Sequence, residues 1–294
     1  MASDATKKRV KGGGRKRLSD VSDQQSAPPQ QQQQQAQPSP KTPVPNLIAR
    51  PQKRQRTSIS SVLPRMNQFI DHTLLKADAQ PSQVRVLCEE AAEHSFCSVC
   101  VNASYAAYAR EVLDEIEASK RQQSHVKVCC VVGFPLGATT SAVKAFEAKE
   151  CLDAGAEEID MVINVGRLLA GEFDYVLRDI CAVVAVCKAR KAVSKVILET
   201  ALLTDEQIEK ASELAIAAGA DFIKTSTGFS TRGASEEDVK IMAAIAKPAG
   251  KQVKASGGIR SAEDAQKMVA LGATRLGTSA GVKIVQGQTS DSAY

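Results

Sequence analysis

From Gln68 onward, short β-branched and apolar runs alternate with longer runs in which apolar residues recur at helical spacing. The stretch "QFIDHTLL" reads as a strand. The helix after it, "PSQVRVLCEEAAEHS", opens on Pro81 and puts Val84, Leu87, Cys88 and Ala91 on one face. The alternation continues with "SVCV" and "ASYAAYAREVLDEIE", "VKVCCVVG" and "SAVKAFEAKECLDAG", and "EIDMVIN" and "EFDYVLRDICAVVAVCKAR". It closes with "SKVILE" and "TDEQIEKASELAIAAG", "DFIKTST" and "SEEDVKIMAAIAK", "QVKASG" and "SAEDAQKMVALG", then "TRLGTS" and a short run near "GVKIVQ". "TDEQ", "SEED" and "SAED" supply Ser or Thr caps before acidic first turns, and "LDAGA", "AAGAD" and "LGAT" supply stop glycines. Eight such units in about 230 residues suit a closed (β/α)8 TIM barrel over residues 66–294 better than an open α/β sheet. Neither a dinucleotide-binding glycine fingerprint nor a Walker A loop is present.

Strand alternation then sorts the charges. In "EIDMVIN", Ile159, Met161 and Ile163 form a set that should meet helices, which turns Asp160, Val162 and Asn164 inward. In "DFIKTST", Phe222, Lys224 and Ser226 share a face. In "QVKASG", Gln252, Lys254 and Ser256 do so, opposite Val253 and Ala255. The same parity groups Phe69, Asp71 and Thr73 in the first strand. One such lysine could close a structural salt bridge, or snorkel outward if the register slips. Two on adjacent strands beside a carboxylate fit a purely structural design poorly, because like charges a few ångströms apart repel.

Composition divides the chain. Residues 1–65 hold no aromatic residue, eight of the eleven prolines, a glutamine run from Gln30 to Gln35, and 13 Lys/Arg against 3 Asp/Glu. They read as a disordered basic N-terminal tail, because so little apolar surface cannot offset the entropy of folding. Residues 66–294 carry 25 Lys/Arg against 30 Asp/Glu, so the basic overall balance does not argue for nucleic-acid binding by the folded part. No apolar run suits a membrane span and no signal-peptide core follows Met1. A cytoplasmic protein is expected, with nuclear import open through "KKRVKGGGRKR" and "RPQKRQR". The eight cysteines read as free thiols, and "CSVC" at 97–100 lacks the second pair or nearby histidine of a zinc site, so no metal is expected.

An inward lysine pair has a chemical use. A second cation and partial burial favour the neutral amine of its neighbour, the form that attacks a carbonyl to give a Schiff base, while a carboxylate can pass protons. "ASGGIRS" and "RLGTSAG" end the last two strands, where barrels of this kind frequently hold phosphate on backbone amides; taken singly, each is also an ordinary turn.

"IDHTLLK", "GFPLGATTSAVKAFEA", "EIDMVINVGRLLAG", "ILETALLT", "AGADFIKTSTGF" and "KASGGIRSAEDA" resemble the deoxyribose-phosphate aldolase family, from about Asn67 to Val285. The resemblance implies a cofactor-free class I aldolase that cleaves 2-deoxy-D-ribose 5-phosphate to D-glyceraldehyde 3-phosphate and acetaldehyde. It implies Lys224 as Schiff-base nucleophile, Lys254 as proton donor and acceptor that also perturbs Lys224, and Asp160 as the second proton-transfer group. Asp71 would support the lysines and Cys100 would line the pocket. Gly228, Gly257, Gly258, Gly277, Thr278 and Ser279 would hold phosphate. Some relatives carry a lysine after "TSTG" where Phe229 and Ser230 stand here, which shifts phosphate recognition to amides and to Arg232 or Arg260. Some also end in a tyrosine that can reach the site, the counterpart here being Tyr294. The expected partner is a phosphorylated sugar, with a homodimer open and the tail a candidate for an import receptor or anionic surface. Two alternatives stay open: another Schiff-base aldolase or transaldolase acting on a phosphorylated sugar, and an idle barrel with a nucleic-acid- or importin-binding tail.

Overall fold

The structure is a computed structural model that describes residues 66–120 and 125–290. The tail and Tyr294 lie outside the described residues. Eight parallel strands close into a barrel in sequence order: β1 (Ile70–Leu74), β2 (Ser98–Val101), β3 (Lys127–Val132), β4 (Glu158–Val162), β5 (Val193–Ile197), β6 (Phe222–Lys224), β7 (Gln252–Ser256) and β8 (Arg275–Thr278). Asp71 of β1 lies opposite Ser98 of β2 and Gly277 of β8, which closes the ring. The expected barrel is therefore the observed one.

Helices α1 (Pro81–Glu93), α2 (Ala106–Lys120), α3 (Ser141–Asp153), α4 (Val165–Leu169), α5 (Phe173–Ala189), α6 (Asp205–Ala217), α7 (Glu236–Ala246), α8 (Ala262–Ala270) and α9 (Gly281–Val285) surround it. Val84, Leu87, Cys88 and Ala91 of α1 are all buried, as their spacing requires. Thr204, Ser235 and Ser261 cap α6, α7 and α8 through reciprocal capping boxes. No helix among the described residues is long and apolar enough to cross a membrane.

Two local expectations shift. Strand β4 stops at Val162, and Asn164 leaves the inward row to cap α4, its side chain accepting from the Arg167 amide at 3.2 Å. Ladder strand β6 spans only Phe222–Lys224, yet Thr225 still donates to Lys254 O and accepts from Thr200 N–H. The backbone after Lys224 is thus held in place as it turns toward the barrel mouth.

The apolar core lies between barrel and helices and includes Ile159, Met161, Ile163, Ile223, Val253 and Ala255, the outward set that alternation assigned, together with Val196 of β5. A small apolar group of Leu75, Cys100, Cys129 and Val131 lies apart from it, with Phe134 packed on it. Asp71, Glu158, Asp160, Lys195, Lys224, Lys254 and Arg275 are buried too, so the barrel interior carries an ionic network. Such a centre is stable only if nearly every charge meets an opposite one.

Candidate active site

Asp160 is the hub. Its Oδ2 accepts from Lys224 Nζ at 2.7 Å and Lys254 Nζ at 2.8 Å, and its Oδ1 accepts from Lys195 Nζ at 2.7 Å and from the Cys129 thiol at 3.2 Å. Lys224 ends β6 and stands in register with Lys254 of β7, which is why two lysines reach one carboxylate oxygen. The three residues that parity turned inward do converge.

The other carboxylates complete the network. Asp71 Oδ2 lies 2.5 Å from Lys254 Nζ, and Asp71 Oδ1 accepts from Ser98 Oγ at 2.6 Å and Arg275 Nη1 at 2.8 Å. Glu158 Oε2 meets Lys195 Nζ at 2.6 Å and Arg275 Nη1 at 2.8 Å. Lys195, Glu158 and Arg275 were not singled out from the sequence, although Lys195 shares the inward parity of β5.

Burial alone would push the Asp160 and Asp71 carboxyls up. The Lys195, Lys224 and Lys254 ammoniums outweigh it at Asp160, and Arg275, Lys254 and Lys195 outweigh it at Asp71, so both stay well below the usual carboxylate range. Burial likewise opposes the charge on Lys254 and Lys195, but the carboxylates beside them hold both above the usual lysine range. Lys254 is therefore a firm cation in the free enzyme. A carboxyl depressed on folding contributes stability that is present above its unfolded value, about 3.9 for Asp, and lost as pH falls below it. We expect urea unfolding to show a steep loss of stability between about pH 4 and pH 2, and expect Asp160→Asn to flatten that slope. An unchanged slope would locate the acid sensitivity elsewhere.

Cys100 is fully buried opposite Cys129. The Cys129 thiol lowers the Cys100 pKa, burial opposes this, and Lys254 reinforces it. Burial pushes Cys129 up. One donor atom each from Cys100, Cys129 and Asp160 lies within 4.8 Å of the others. Three ammoniums already on Asp160 would repel a metal cation there, so these residues read as packing and hydrogen bonding.

In the segments that follow β6, β7 and β8, Gly228, Ser230, Thr231, Arg232, Gly233, Gly257, Gly258, Ile259, Arg260, Thr278, Ser279 and Ala280 line a cavity of about 180 Å³. Gly228, Gly257 and Gly258 have φ of 89°, 82° and 77°, which a side chain would strain. Gly277 does not line this cavity. It lies within β8, where a Cβ would come 2.3 Å from Ser256 Oγ and 3.0 Å from Lys254 Cε, so its smallness leaves room for Lys254. Arg232 lines the cavity but its guanidinium is paired with both oxygens of Asp238, while Arg260 also lines it.

Glu199 is a further residue that sequence patterns did not reveal. It holds a left-handed backbone (φ 59°, ψ 61°), costing about 1–2 kcal/mol for a residue with a Cβ. Its carboxylate accepts from the Thr227 hydroxyl and, at 3.3 Å, from the Thr227 amide. The Thr227 hydroxyl oxygen in turn accepts from Phe229 N–H at 3.0 Å. Glu199 thus fixes the turn that leads from Lys224 into the cavity. Burial raises its carboxyl above the usual range, against the Thr227 bonds.

Fold and site together define a closed (β/α)8 barrel with an amine-and-carboxylate centre and, after the C-terminal ends of β6, β7 and β8, a glycine-rich cavity. Residues 65–287 match the sequence profile of the DeoC/LacD family aldolases. Proteins named deoxyribose-phosphate aldolase from Clostridium perfringens (strain SM101) and Geobacillus sp. (strain WCH70) are 52% and 53% identical over 227 residues, 77% of this chain and 97% of each relative. The structure titled as a tetrameric deoxyribose phosphate aldolase from Aeropyrum pernix superposes with a TM-score of 0.68 at 38% identity, covering 75% of this chain and 89% of that one. The chain belongs to the DeoC/LacD family of aldolases.

Proposed function

We propose that the chain is a class I deoxyribose-phosphate aldolase with Lys224 as its Schiff-base residue. The reaction is the reversible cleavage of 2-deoxy-D-ribose 5-phosphate to D-glyceraldehyde 3-phosphate and acetaldehyde. The observation that carries the reading is one Asp160 oxygen shared by Lys224 and Lys254 at 2.7 and 2.8 Å. Of the two, only Lys254 has a second carboxylate, Asp71, so Lys224 is the amine more easily released for attack.

Neutral Lys224 adds to C1 of the open-chain sugar, and the carbinolamine loses water to give an iminium. That group accepts the electron pair of the C2–C3 bond as a base takes the C3 hydroxyl proton, and glyceraldehyde 3-phosphate leaves. The enamine left on Lys224 takes a proton at C2, and water then releases acetaldehyde and the free amine. Asp160 and Lys254 stand beside Lys224 to carry these protons. Asp71 orients Lys254, and Cys100 packs beside the centre.

The cavity between Gly228 and Ser279 suits the phosphate, with Gly228, Gly257, Gly258, Thr278 and Ser279 presenting it to the substrate and Gly277 acting instead as the small neighbour of Lys254. A Cβ on Gly233 would fall 2.2 Å from the Gly257 carbonyl and break this wall. Gly233→Ala should raise KM for deoxyribose 5-phosphate about tenfold or more while borohydride trapping with acetaldehyde, which has no phosphate, stays near wild type. Equal loss with both compounds would place phosphate elsewhere.

Self-association is supported by the tetrameric structure of the Aeropyrum pernix relative, and sedimentation of the full chain tests it. The basic residues 1–65 support docking to an import receptor or anionic surface, with Tyr294 a candidate aid to proton transfer. Nuclear import is tested by comparing the nuclear share of the full chain with that of a chain lacking residues 1–65, and equal shares would count against it.

A further inference from the structure

The buried network holds an odd charge. Its cations are Lys195, Lys224, Lys254 and Arg275, and its anions are Asp71, Glu158 and Asp160, all less than a tenth exposed. Four positive groups face three negative ones. Lys195 contacts three carboxylates, Glu158 and Asp160 closely and Asp71 at 4.0 Å, Lys254 contacts two, and Arg275 contacts Asp71 and Glu158. Only Lys224 has a single contact, on an oxygen it shares.

Resting on the Schiff-base reading of Lys224, we propose that Lys195 is a positioning residue for this reaction. By occupying Oδ1 of Asp160 and Oε2 of Glu158, it leaves Lys224 and Lys254 a single Asp160 oxygen to share and sets the one-cation excess of the ion-paired network that drives Lys224 to release a proton. The neutral amine that attacks the sugar is thus created by Lys195 as well as by Lys254.

Among the described residues, no other carboxylate forms an ion pair with Lys224. Cys100 and Cys129 face the centre from β2 and β3, with Lys195 donating to Cys129 Sγ at 3.2 Å and the Cys129 thiol donating to Asp160 at 3.2 Å. Glu199, after β5, feels the Lys224 charge, but its carboxylate is turned to Thr227 and burial favours its neutral form, and no ion pair joins it to a lysine among the described residues. Arg232 is matched by Asp238. Lys127 reaches Glu158 at 3.3 Å but is over a third exposed, so solvent screens it and its charge can only add to the excess.

The test is the pH profile of kcat/KM for deoxyribose 5-phosphate on the full chain, with borohydride trapping on Lys224 followed over the same range. Lys195→Met leaves three cations and three carboxylates. Its acid limb should move to higher pH by about one unit or more, lowering the rate at pH 7 about tenfold. Lys195→Met with Glu158→Gln restores the excess and should return the limb toward wild type. Lys195→Arg, which keeps the charge, should hold the limb in place even if turnover falls. A Lys195→Met enzyme uniformly slower at every pH would overturn the proposal, as would a double variant displaced like the single one. If Lys195→Met fails to fold, Glu158→Gln alone decides: its limb should move to lower pH, and an unmoved limb overturns the idea. Wild type that forms no adduct on Lys224 removes the Schiff-base reading itself, and this inference with it.

Discussion

Replacing Lys224 with alanine should lower kcat/KM for 2-deoxyribose 5-phosphate by about 10⁴-fold or more, because no other group could form the iminium that accepts the electron pair. Lys254 cannot substitute: it is clamped between Asp71 and Asp160 at 2.5 and 2.8 Å, and those carboxylates keep it protonated. The fold should survive, since the change removes the surplus cation and leaves three cations with three carboxylates. Steady-state kinetics alongside a thermal melt separates the two readouts. A Lys224→Ala enzyme within tenfold of wild type would contradict the assignment, and a collapsed melt would mean that Lys224 is structural.

Asp160→Asn should do the opposite to stability. Its fully buried carboxylate is the anion common to Lys195, Lys224 and Lys254, so an amide there leaves three ammoniums around a neutral group. Breaking a buried ion pair from one side costs about 3–5 kcal/mol, which in a barrel of this size is a fall in Tm of roughly 6–20 °C. Activity should fall about 10²–10⁴-fold as well, because the carboxylate proposed to carry protons beside the iminium is lost. Differential scanning calorimetry and turnover at pH 7 check both. An Asp160→Asn protein that melts like wild type would show that the network does not depend on this hub.

The two variants separate what was legible in the chain from what was not. Asp160, Lys224, Lys254 and Asp71 could be read because each interrupts an alternating strand whose outward partners, such as Ile159 and Met161 or Val253 and Ala255, are unambiguous. Glu158 and Arg275 begin their strands, where a charge normally signals exposure at the barrel base, and only the closed ring shows that they meet inside. Lys195 carried the inward parity of β5 but stands near the start of "SKVILE", where a lysine is as easily a solvated strand end as an inward charge. Glu199 could not be found from residue type, since its function depends on a left-handed backbone that few side chains adopt. Gly277 was read as a phosphate ligand from its neighbours, and only the closed barrel adds that its missing side chain makes room for Lys254. Short α4 stayed hidden because five residues carry too little periodicity to separate it from the preceding strand.

The central claim, that the lysine ending β6 forms the covalent intermediate, is tested most directly by trapping. The full chain is incubated with 2-deoxyribose 5-phosphate, reduced with borohydride, and examined by intact mass and peptide mapping. The account predicts one substrate-derived adduct, carried by the peptide containing Lys224 and absent from Lys224→Ala. An adduct on Lys254 or Lys195, or none from a folded and phosphate-competent protein, would contradict it.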